Sequence, residues 1–376
     1  MSILVKRVST KKELSDFIDF PNKLYKGNEF YVPKFFIDEK NTFNPKKNPA
    51  FKFCESAQYL AYKDNEIVGR VAAIINHKAN EKWNHKEVRF GWIDFIDDIE
   101  VTKALLAAVE DFGREKGMDS ICGPLGFTDF DPEGMLVDGF DRMCTMALIY
   151  NHPYYKDHLE KLGYAKEIDW VEYKITVPDE MPEKITKVSN LVKQRYGFKI
   201  RKLTKREVVK EGVGQKIFDV INTTYADLYN FTPLSDDLVK SYINTYLKLL
   251  DFRYVTYIED AEGEVAGFGV AVPSIAKALQ KCRGKIFPFG WFHILKSYFF
   301  KHEDTIELLL VGVMPEYHNK GLMALIFDDM IPRMKKGGFK YGESNAELET
   351  NIAVQQQWNM FETECKKRRR IYKKAL

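Results

Sequence analysis

One segment of the chain, VGVMPEYHNKGLMALI (311–326), combines residue types that can hold a phosphate. An apolar strand pattern gives way to a short polar turn, and the turn ends in Gly321 at the start of an apolar helix pattern. The first turn of a helix has unpaired N–H groups and the positive end of the helix dipole. Gly321 lets the backbone approach a pyrophosphate closely, and Lys320 adds a positive charge nearby. The segment therefore predicts a pyrophosphate site.

Two predicted elements position this turn. TIELLLVGV (305–313) is mostly apolar, as expected for a strand that is covered on both faces. GLMALIFDDMIPRMKKGG (321–338) predicts a helix that ends at Gly337 and Gly338, and Pro332 is expected to kink or shorten it.

The same unit occurs twice along the chain. YLAYKDNEIVGRVAAII (59–75) and YVTYIEDAEGEVAGFGVAV (254–272) each predict two strands joined by an acidic turn, and Gly69 matches Gly267. A strand, a helix, another strand, a second helix and a final strand follow each hairpin. Strands interleaved with helices indicate the α/β class. The linker VPDEMPEK (177–184) separates the copies, so we predict two domains, residues 1–181 and 182–376.

The second copy resembles the GNAT acyltransferase superfamily. That family's pyrophosphate loop reads Q/R-x-x-G-x-G/A after a strand and a V-x-P turn, and VMPEYHNKGLMA (313–324) supplies the valine, the proline, the central glycine and the helix. It departs from the pattern at His318, where Gln or Arg is usual, and at Met323, where Gly or Ala is usual. GPLGFTDFDPEGMLVDGF (123–140) also resembles a segment of tandem bacterial forms. The resemblance implies two tandem GNAT-like domains, each with a mixed central sheet flanked by helices.

By the same resemblance, acyl-CoA or acetyl-CoA is the donor substrate, and it binds in the second domain. The strand backbone would pair with the pantetheine arm, and the loop backbone would cradle the pyrophosphate. The implied donor-binding residues are Val311, Val313, His318, Asn319, Lys320, Gly321, Leu322, Met323, Ala324 and Asn351. The first copy has IDDIEVTKAL (96–105) instead, whose carboxylates would repel a pyrophosphate, so we expect it to be degenerate.

Acyl transfer to an amine needs a base that removes a proton from the amine. In many GNAT proteins this base is a glutamate on the central strand, which implies Glu307 here. Three other glutamates in the segment YGESNAELET (341–350) are alternatives: Glu343, Glu347 and Glu349.

The family also uses a tyrosine as the acid that protonates the CoA thiolate. That position, seven residues after Asn351, holds Trp358, which is a poor proton donor. Tyr341, Tyr317 or water must then serve. The predicted catalytic residues are Glu307, Tyr341 and Glu349.

Three other segments have more than one interpretation. KKRRRIYKK (366–374) could bind RNA, an anionic membrane or the CoA phosphates, but we favour the exposed side of a final edge strand. Asp129, Asp131 and Glu133 lack EF-hand spacing, and we expect their loop to face the acceptor site. GKIFPFGWFHILKSYFF (284–300) either lines an apolar tunnel for the acyl chain or covers the core between the copies. With a tunnel, long acyl-CoA should bind more tightly than acetyl-CoA.

Composition narrows the class of protein further. The chain has 376 residues and a net charge of +3, which is too small to indicate a DNA partner. Its five cysteines form no C-x-x-C pair, and no histidine-based metal motif occurs, so we expect reduced thiols and no metal. The chain lacks a signal-peptide pattern and an 18-residue apolar run, so we expect a cytoplasmic protein without a transmembrane segment. Because a duplicated fold can satisfy its own pairing, a monomer is favoured.

Together these features predict a CoA-dependent N-acyltransferase with a small-molecule primary amine as acceptor. One alternative is a tRNA-dependent aminoacyl or peptidyl transferase of the duplicated GNAT type. Another is a non-catalytic acyl-CoA-binding protein.

Overall fold

The computed structural model describes residues 3–247, 250–299 and 302–376. In this part of the chain the strands are β1 Leu4–Arg7, β2 Cys54–Lys63, β3 Glu66–Asn76, β4 Glu87–Phe95, β5 Ser120–Gly123, β6 Met135–Asp138, β7 Ala165–Thr176, β8 Lys199–Arg201, β9 Val255–Glu259, β10 Val265–Pro273, β11 Thr305–Val313, β12 Tyr341–Ser344, β13 Glu347–Leu348 and β14 Thr363–Ala375. The helices are α1 Lys11–Leu24, α2 Phe36–Thr42, α3 His77–Trp83, α4 Ile99–Glu115, α5 Tyr154–Lys161, α6 Glu183–Tyr196, α7 Lys205–Lys210, α8 Val213–Thr224, α9 Asp236–Thr245, α10 Ala276–Cys282, α11 Gly290–Phe299, α12 Leu322–Lys336 and α13 Ile352–Gln355.

The predicted duplication is confirmed in the strands and helices. Each copy contains an antiparallel hairpin, a third strand that pairs with it, a helix, and a short strand parallel to the third. The turn of the first hairpin has Asp64 and Asn65 at φ 52° and 64°, as a two-residue turn between twisted strands requires. In the second copy, α12 continues through Pro332 to Lys336, so the expected shortening of this helix was wrong.

All the strands join one mixed sheet, whose main order is β1-β2-β3-β4-β5-β14-β7-β12-β11-β10-β9-β8. The two copies exchange their last strands at its centre. β7, the last strand of the first copy, pairs with β12 of the second. β14, the last strand of the second copy, pairs with β5 of the first. Residues 177–182 connect β7 to α6, and each half is completed by a strand from the other.

The basic segment 366–374 therefore lies in a central strand, and its predicted place on an exposed edge was wrong. β14 pairs with β7 along most of its length. Lys367 and Arg369 are buried, at 2% and 0% exposure, and both contact the Glu172 carboxylate. Although burial acts to raise it, the charges of Arg369 and Lys367 hold the pKa of Glu172 below its usual value.

An apolar core extends across both copies. Phe17, Phe43 and Phe127 of the first half belong to the same buried cluster as Phe218 and Phe268 of the second. Within the described ranges, no helix is both long enough and apolar enough to cross a bilayer.

Candidate active site

The site begins where β11 and β12 separate. These parallel strands pair only from Thr305–Leu308 to Tyr341–Ser344. Leu309 is an extra residue in β11, because the register with β10 shifts between Val270 and Ala271. Such a bulge bends a strand and ends regular pairing. β11 then runs on to Val313 while the chain after Ser344 turns away, which leaves a V-shaped opening between them.

The predicted phosphate turn lies at the end of β11. Gly321 has a φ of 80° and Asn319 a φ of 63°, so the backbone curls before α12 begins. Among the described residues, the N–H groups of Asn319, Gly321, Leu322 and Met323 have no hydrogen-bond partner. Lys320 lies over the rings of Tyr196 and Tyr317, with its Nζ 5.3 and 5.0 Å from their centres.

His318 has a structural contact in the same turn. Its Nε2 is 2.9 Å from the Val313 carbonyl oxygen and so braces the loop against its own strand. Free N–H groups at a helix start, without a side-chain cap, form a suitable anion site.

The first copy has a bulged strand but no comparable opening. Trp92 in β4 has a φ of 46°, and the loop after β5 fills the space that would otherwise open beside it. Leu125 N donates to Phe90 O at 2.9 Å, and a Cβ on Gly91 would come within 2.4 Å of Leu125 O. The Asp98 carboxylate caps α4, accepting from Glu100 N at 3.0 Å. A carboxylate thus occupies the helix end that a phosphate would need.

A cavity of about 970 Å³ extends from the V-shaped opening into the space between the two halves. Its size is at the upper end of small-molecule sites, which span roughly 300–1,000 Å³. Most of the wall is apolar, with contributions from β11, α8, α9, α11 and α12. Val311, Met323 and Asn351 of the predicted donor residues line it.

One carboxylate in the cavity wall has a free oxygen. Trp358, at 8% exposure, donates from Nε1 to Glu347 Oε1 at 2.9 Å. Glu347 Oε2 is buried and has no hydrogen-bond partner among the described residues. The nearby Ser344 hydroxyl donates instead to Asn345 O at 2.9 Å. Burial raises the pKa of Glu347 to about 7, against the opposing effects of the Trp358 indole and the nearby Ser344 hydroxyl. A carboxylate with this pKa can exchange a proton near neutral pH.

A second part of the wall is acidic. The loop after β5 contributes Asp129, Asp131 and Glu133, and α2 adds Glu39. Burial raises the pKa of Asp129 to about 6 and that of Asp131 to about 7. Burial, together with the charge of Asp129, raises the pKa of Glu133 well above its usual value. Protonated carboxyls donate hydrogen bonds, and ionised ones attract a cation.

The predicted base Glu307 does not line this cavity. It is 2% exposed, and its carboxylate accepts hydrogen bonds from Ser274 Oγ at 2.9 Å and Met146 N at 3.1 Å. Burial raises its pKa to about 7, against the effect of the Ser274 hydrogen bond. The contact joins β11 to the segment before α5, so Glu307 links the two halves.

The other two predicted catalytic residues also lie outside the cavity wall. Tyr341 lies beneath Lys174, whose Nζ is 3.5 Å from the ring centre. Glu349 pairs with Lys166 at 2.8 Å and Arg368 at 3.1 Å. Tyr317, the alternative acid, donates to Asp260 Oδ2 at 2.7 Å. The structure does not bring Glu307, Tyr341 and Glu349 together.

Sequence reasoning missed Tyr225, which lines the cavity beside β11. Its hydroxyl donates to Val311 O at 3.0 Å, on the strand predicted to pair with the pantetheine arm. Burial raises the pKa of Tyr225 to about 12. Its helix α8 has an ordinary apolar face, so no local signal marks this residue. Within the described part of the chain, no group of three or more His, Cys, Asp or Glu side chains could hold a metal.

Two bulged central strands, each parallel to a short strand and followed by a helix, define the GNAT fold present twice in one chain. A tandem GNAT protein from the clavulanic acid biosynthesis pathway superposes with a TM-score of 0.56 at 11% identity, over 100% of this chain and 98% of that one. A GCN5-related N-acetyltransferase from Sphaerobacter thermophilus gives 0.50 at 9% identity, over 99% and 95%. The predicted fold, a tandem GNAT α/β structure, is confirmed.

Two protein sequences are also similar along most of the chain. Protein YghO of Escherichia coli (strain K12) is 27% identical over 99% of this chain and 95% of its own length. The bacterial ceramide synthase of Caulobacter vibrioides is 28% identical over 82% of this chain and 80% of its own length. No protein-family model matches the chain.

Proposed function

We propose that this protein transfers a long acyl chain from acyl-CoA to the primary amine of an aliphatic acceptor. The observation that carries the proposal is the apolar cavity between the halves, which starts at the β11–β12 opening and contains the free Glu347 oxygen. A ceramide is an amide between a fatty acid and a long-chain amine, and the similarity to the Caulobacter vibrioides protein favours that type of product.

The donor site is assigned to the second copy. Free N–H groups and Lys320 at the start of α12 fit a pyrophosphate, whereas Asp98 occupies the matching helix end in the first copy. Met323 is larger than the residue usual in this loop, yet it lies in the cavity wall and leaves the turn backbone free. The donor residues implied by the family resemblance are retained in this proposal.

Glu347 is the proposed base. Its Oε2 takes a proton from the acceptor ammonium or from the attacking amine, the nitrogen–carbonyl carbon bond forms, and the carbon–sulfur bond breaks. The thiolate leaves and takes a proton from water, since thiols with an ordinary pKa of about 8.5 are mostly protonated at neutral pH. The reaction therefore does not require a tyrosine at the position of Trp358.

The acidic wall supports an amine acceptor. Asp129, Asp131 and Glu133 lie together with apolar side chains, so they can attract a cationic head while the wall accommodates an aliphatic tail. The basic residues of β14, which could have suggested a tRNA substrate, are instead engaged with carboxylates such as Glu172 and Asp169.

The test is a reaction series with the full chain. C2 to C16 acyl-CoAs are mixed with a long-chain 2-amino alcohol or with ethanolamine, and free thiol and amide product are measured. Each buried CH₂ adds about 0.8 kcal/mol, so turnover and affinity should rise with acyl length, and the long-chain amine should react faster. A flat dependence on both chains contradicts the proposal. Tight acyl-CoA binding without amide formation would indicate the non-catalytic alternative.

A further inference from the structure

A group of exposed apolar side chains lies beside the cavity. Phe287 and Phe289, in the turn before α11, are 81% and 77% exposed. Trp291, Phe292 and Leu295 on α11 are also exposed. We call these five residues the aromatic patch. Single exposed apolar residues are common on proteins, but a cluster of this kind usually marks a binding surface.

The charged side chains of the segment that contains the aromatic patch have one sign. Between Ala276 and Phe299 the sequence has five basic residues and no acidic one. Lys281, Arg283 and Lys296 are exposed and form no ion pair within the described ranges. Lys285 pairs with Asp19, and Lys277 lies 4.0 Å from Glu303. An aromatic surface with basic neighbours matches the interface of a bilayer that carries anionic headgroups.

The opposite side of α11 forms part of the cavity wall. Ile294 and Tyr298 line the cavity, whereas Trp291 and Phe292 point outward, as helical spacing requires. Leu295 and Tyr246 both line the cavity and are 43% and 48% exposed, so the cavity opens next to the aromatic patch.

We infer that the aromatic patch inserts into the surface of an anionic phospholipid bilayer and places the cavity mouth against it. Trp and Phe suit the boundary between headgroups and acyl chains, and the lysines and arginine suit the negative headgroups. A second copy of this chain is a less suitable partner for the aromatic patch, because a two-fold contact would bring the same positive charges together. The inference deepens the proposed function by giving the source of its lipid substrates, but surface binding itself does not depend on catalysis.

Vesicle sedimentation of the full chain, without acyl-CoA, tests this inference. Vesicles contain either phosphatidylcholine alone or 70% phosphatidylcholine and 30% phosphatidylglycerol. The patch variant is Phe287→Ser/Phe289→Ser. The control is Leu4→Ser/Leu191→Ser, which removes equally apolar residues that are 52% and 59% exposed elsewhere. The charge variant is Lys281→Glu/Lys296→Glu.

We expect the wild type to bind the anionic vesicles and the patch variant to lose at least ten-fold in partitioning, with the control unchanged. The charge variant should lose the preference for anionic vesicles, and added salt should have the same effect on the wild type. Circular dichroism and acyl-CoA calorimetry check that each variant is folded and keeps its donor site.

Three results would overturn the inference. The wild type could fail to sediment with either vesicle, or the control could lose as much binding as the patch variant. Alternatively, light scattering could show a wild-type dimer that the patch variant converts to monomer while vesicle binding stays the same, which would make the surface a subunit interface. Loss of acyl-CoA turnover with normal vesicle binding would count against the proposed function alone.

Discussion

Trp358 donates a 2.9 Å hydrogen bond to one oxygen of Glu347 and leaves the other oxygen free in the cavity wall. The family resemblance implies a proton-donating tyrosine at the position that Trp358 occupies. In the structure the indole instead orients the carboxylate that we propose as the base. In the proposed mechanism this position therefore supports a proton acceptor instead of donating a proton.

Replacing Glu347 by Gln should lower kcat by about 10²- to 10⁴-fold, the usual contribution of a general base. Binding of acyl-CoA should stay within a few-fold, because Gln keeps the shape and the Trp358 contact. In the wild type, kcat/KM should decrease as the pH is lowered below about 7, because Glu347 takes up a proton. This decrease should be absent from the residual activity of the variant. Glu307→Gln is the matched control. A larger loss of kcat in Glu307→Gln than in Glu347→Gln would make Glu307 the base instead of Glu347.

Replacing Lys320 by Glu should weaken acyl-CoA binding at least ten-fold, because it puts a carboxylate beside the proposed pyrophosphate site. Lys336→Glu makes the same charge change at the far end of α12 and should leave the affinity unchanged. Calorimetry with CoA and with dephospho-CoA measures both. This pair is a better test than a change at Gly321, where a Cβ would come within 2.9 Å of Val188 Cγ1 and disturb α6 directly. Equal acyl-CoA affinities of the Lys320→Glu and Lys336→Glu variants would indicate that the donor site lies elsewhere.

Glu307 should make the protein less stable as the pH rises from about 4.5 to about 7. Its pKa is raised from 4.5 to about 7 in the folded state, so between these values the folded chain holds a proton that the unfolded chain has lost. The free energy of unfolding should therefore decrease with rising pH across this window, by roughly 3 kcal/mol from this group alone. Glu307→Gln should flatten the dependence in urea denaturation at pH 5, 6, 7 and 8. An unchanged slope would show that other buried acids, such as Asp131, dominate it.

The cluster of Glu172, Lys367 and Arg369 should be sensitive to loss of the carboxylate that both cations share. Glu172→Gln removes the ion pair of Arg369 and leaves Lys367 paired with Glu343 alone, and breaking a buried ion pair costs about 3–5 kcal/mol. Glu183→Gln removes an exposed i,i+4 partner of Lys187 and should cost less than about 1 kcal/mol. Chemical denaturation of both variants makes the comparison. A small effect of Glu172→Gln would indicate that water reaches the cluster.

The sequence predicts most of the strands and helices because apolar residues recur at regular strand or helix spacing and the turns have specific residues. Asp64–Asn65 and Gly321 are examples in which backbone conformation requires the residue found there. The sequence did not predict the position of β14 in the sheet. Seven basic residues in nine suggest an exposed edge. Carboxylates from other parts of the chain, such as Glu172 of β7 and Glu87 of β4, make a central place possible for them.

The sequence could not single out the glutamate that we propose as the base, for a similar reason. Glu307 and Glu347 both lie on strands of the predicted site, and alternation along one strand cannot tell which oxygen meets a cavity. The bulge at Leu309 and the partners of each carboxylate decide this, and both depend on contacts between the two halves. The acidic loop 129–133 was recognised by its composition, whereas Tyr225 lies on a helix with no distinguishing pattern.

The exchange of β7 and β14 also determines when the protein can finish folding during its synthesis. The first copy emerges from the ribosome long before Thr363–Ala375 is made. Until then, β5 lacks its β14 partner on one side. Its exposed strand edge must remain free of other partners until the thirteen residues of β14 are made. The half that is made first is therefore completed only when β14 pairs with β5, whereas β12 of the second half finds its partner β7 already made.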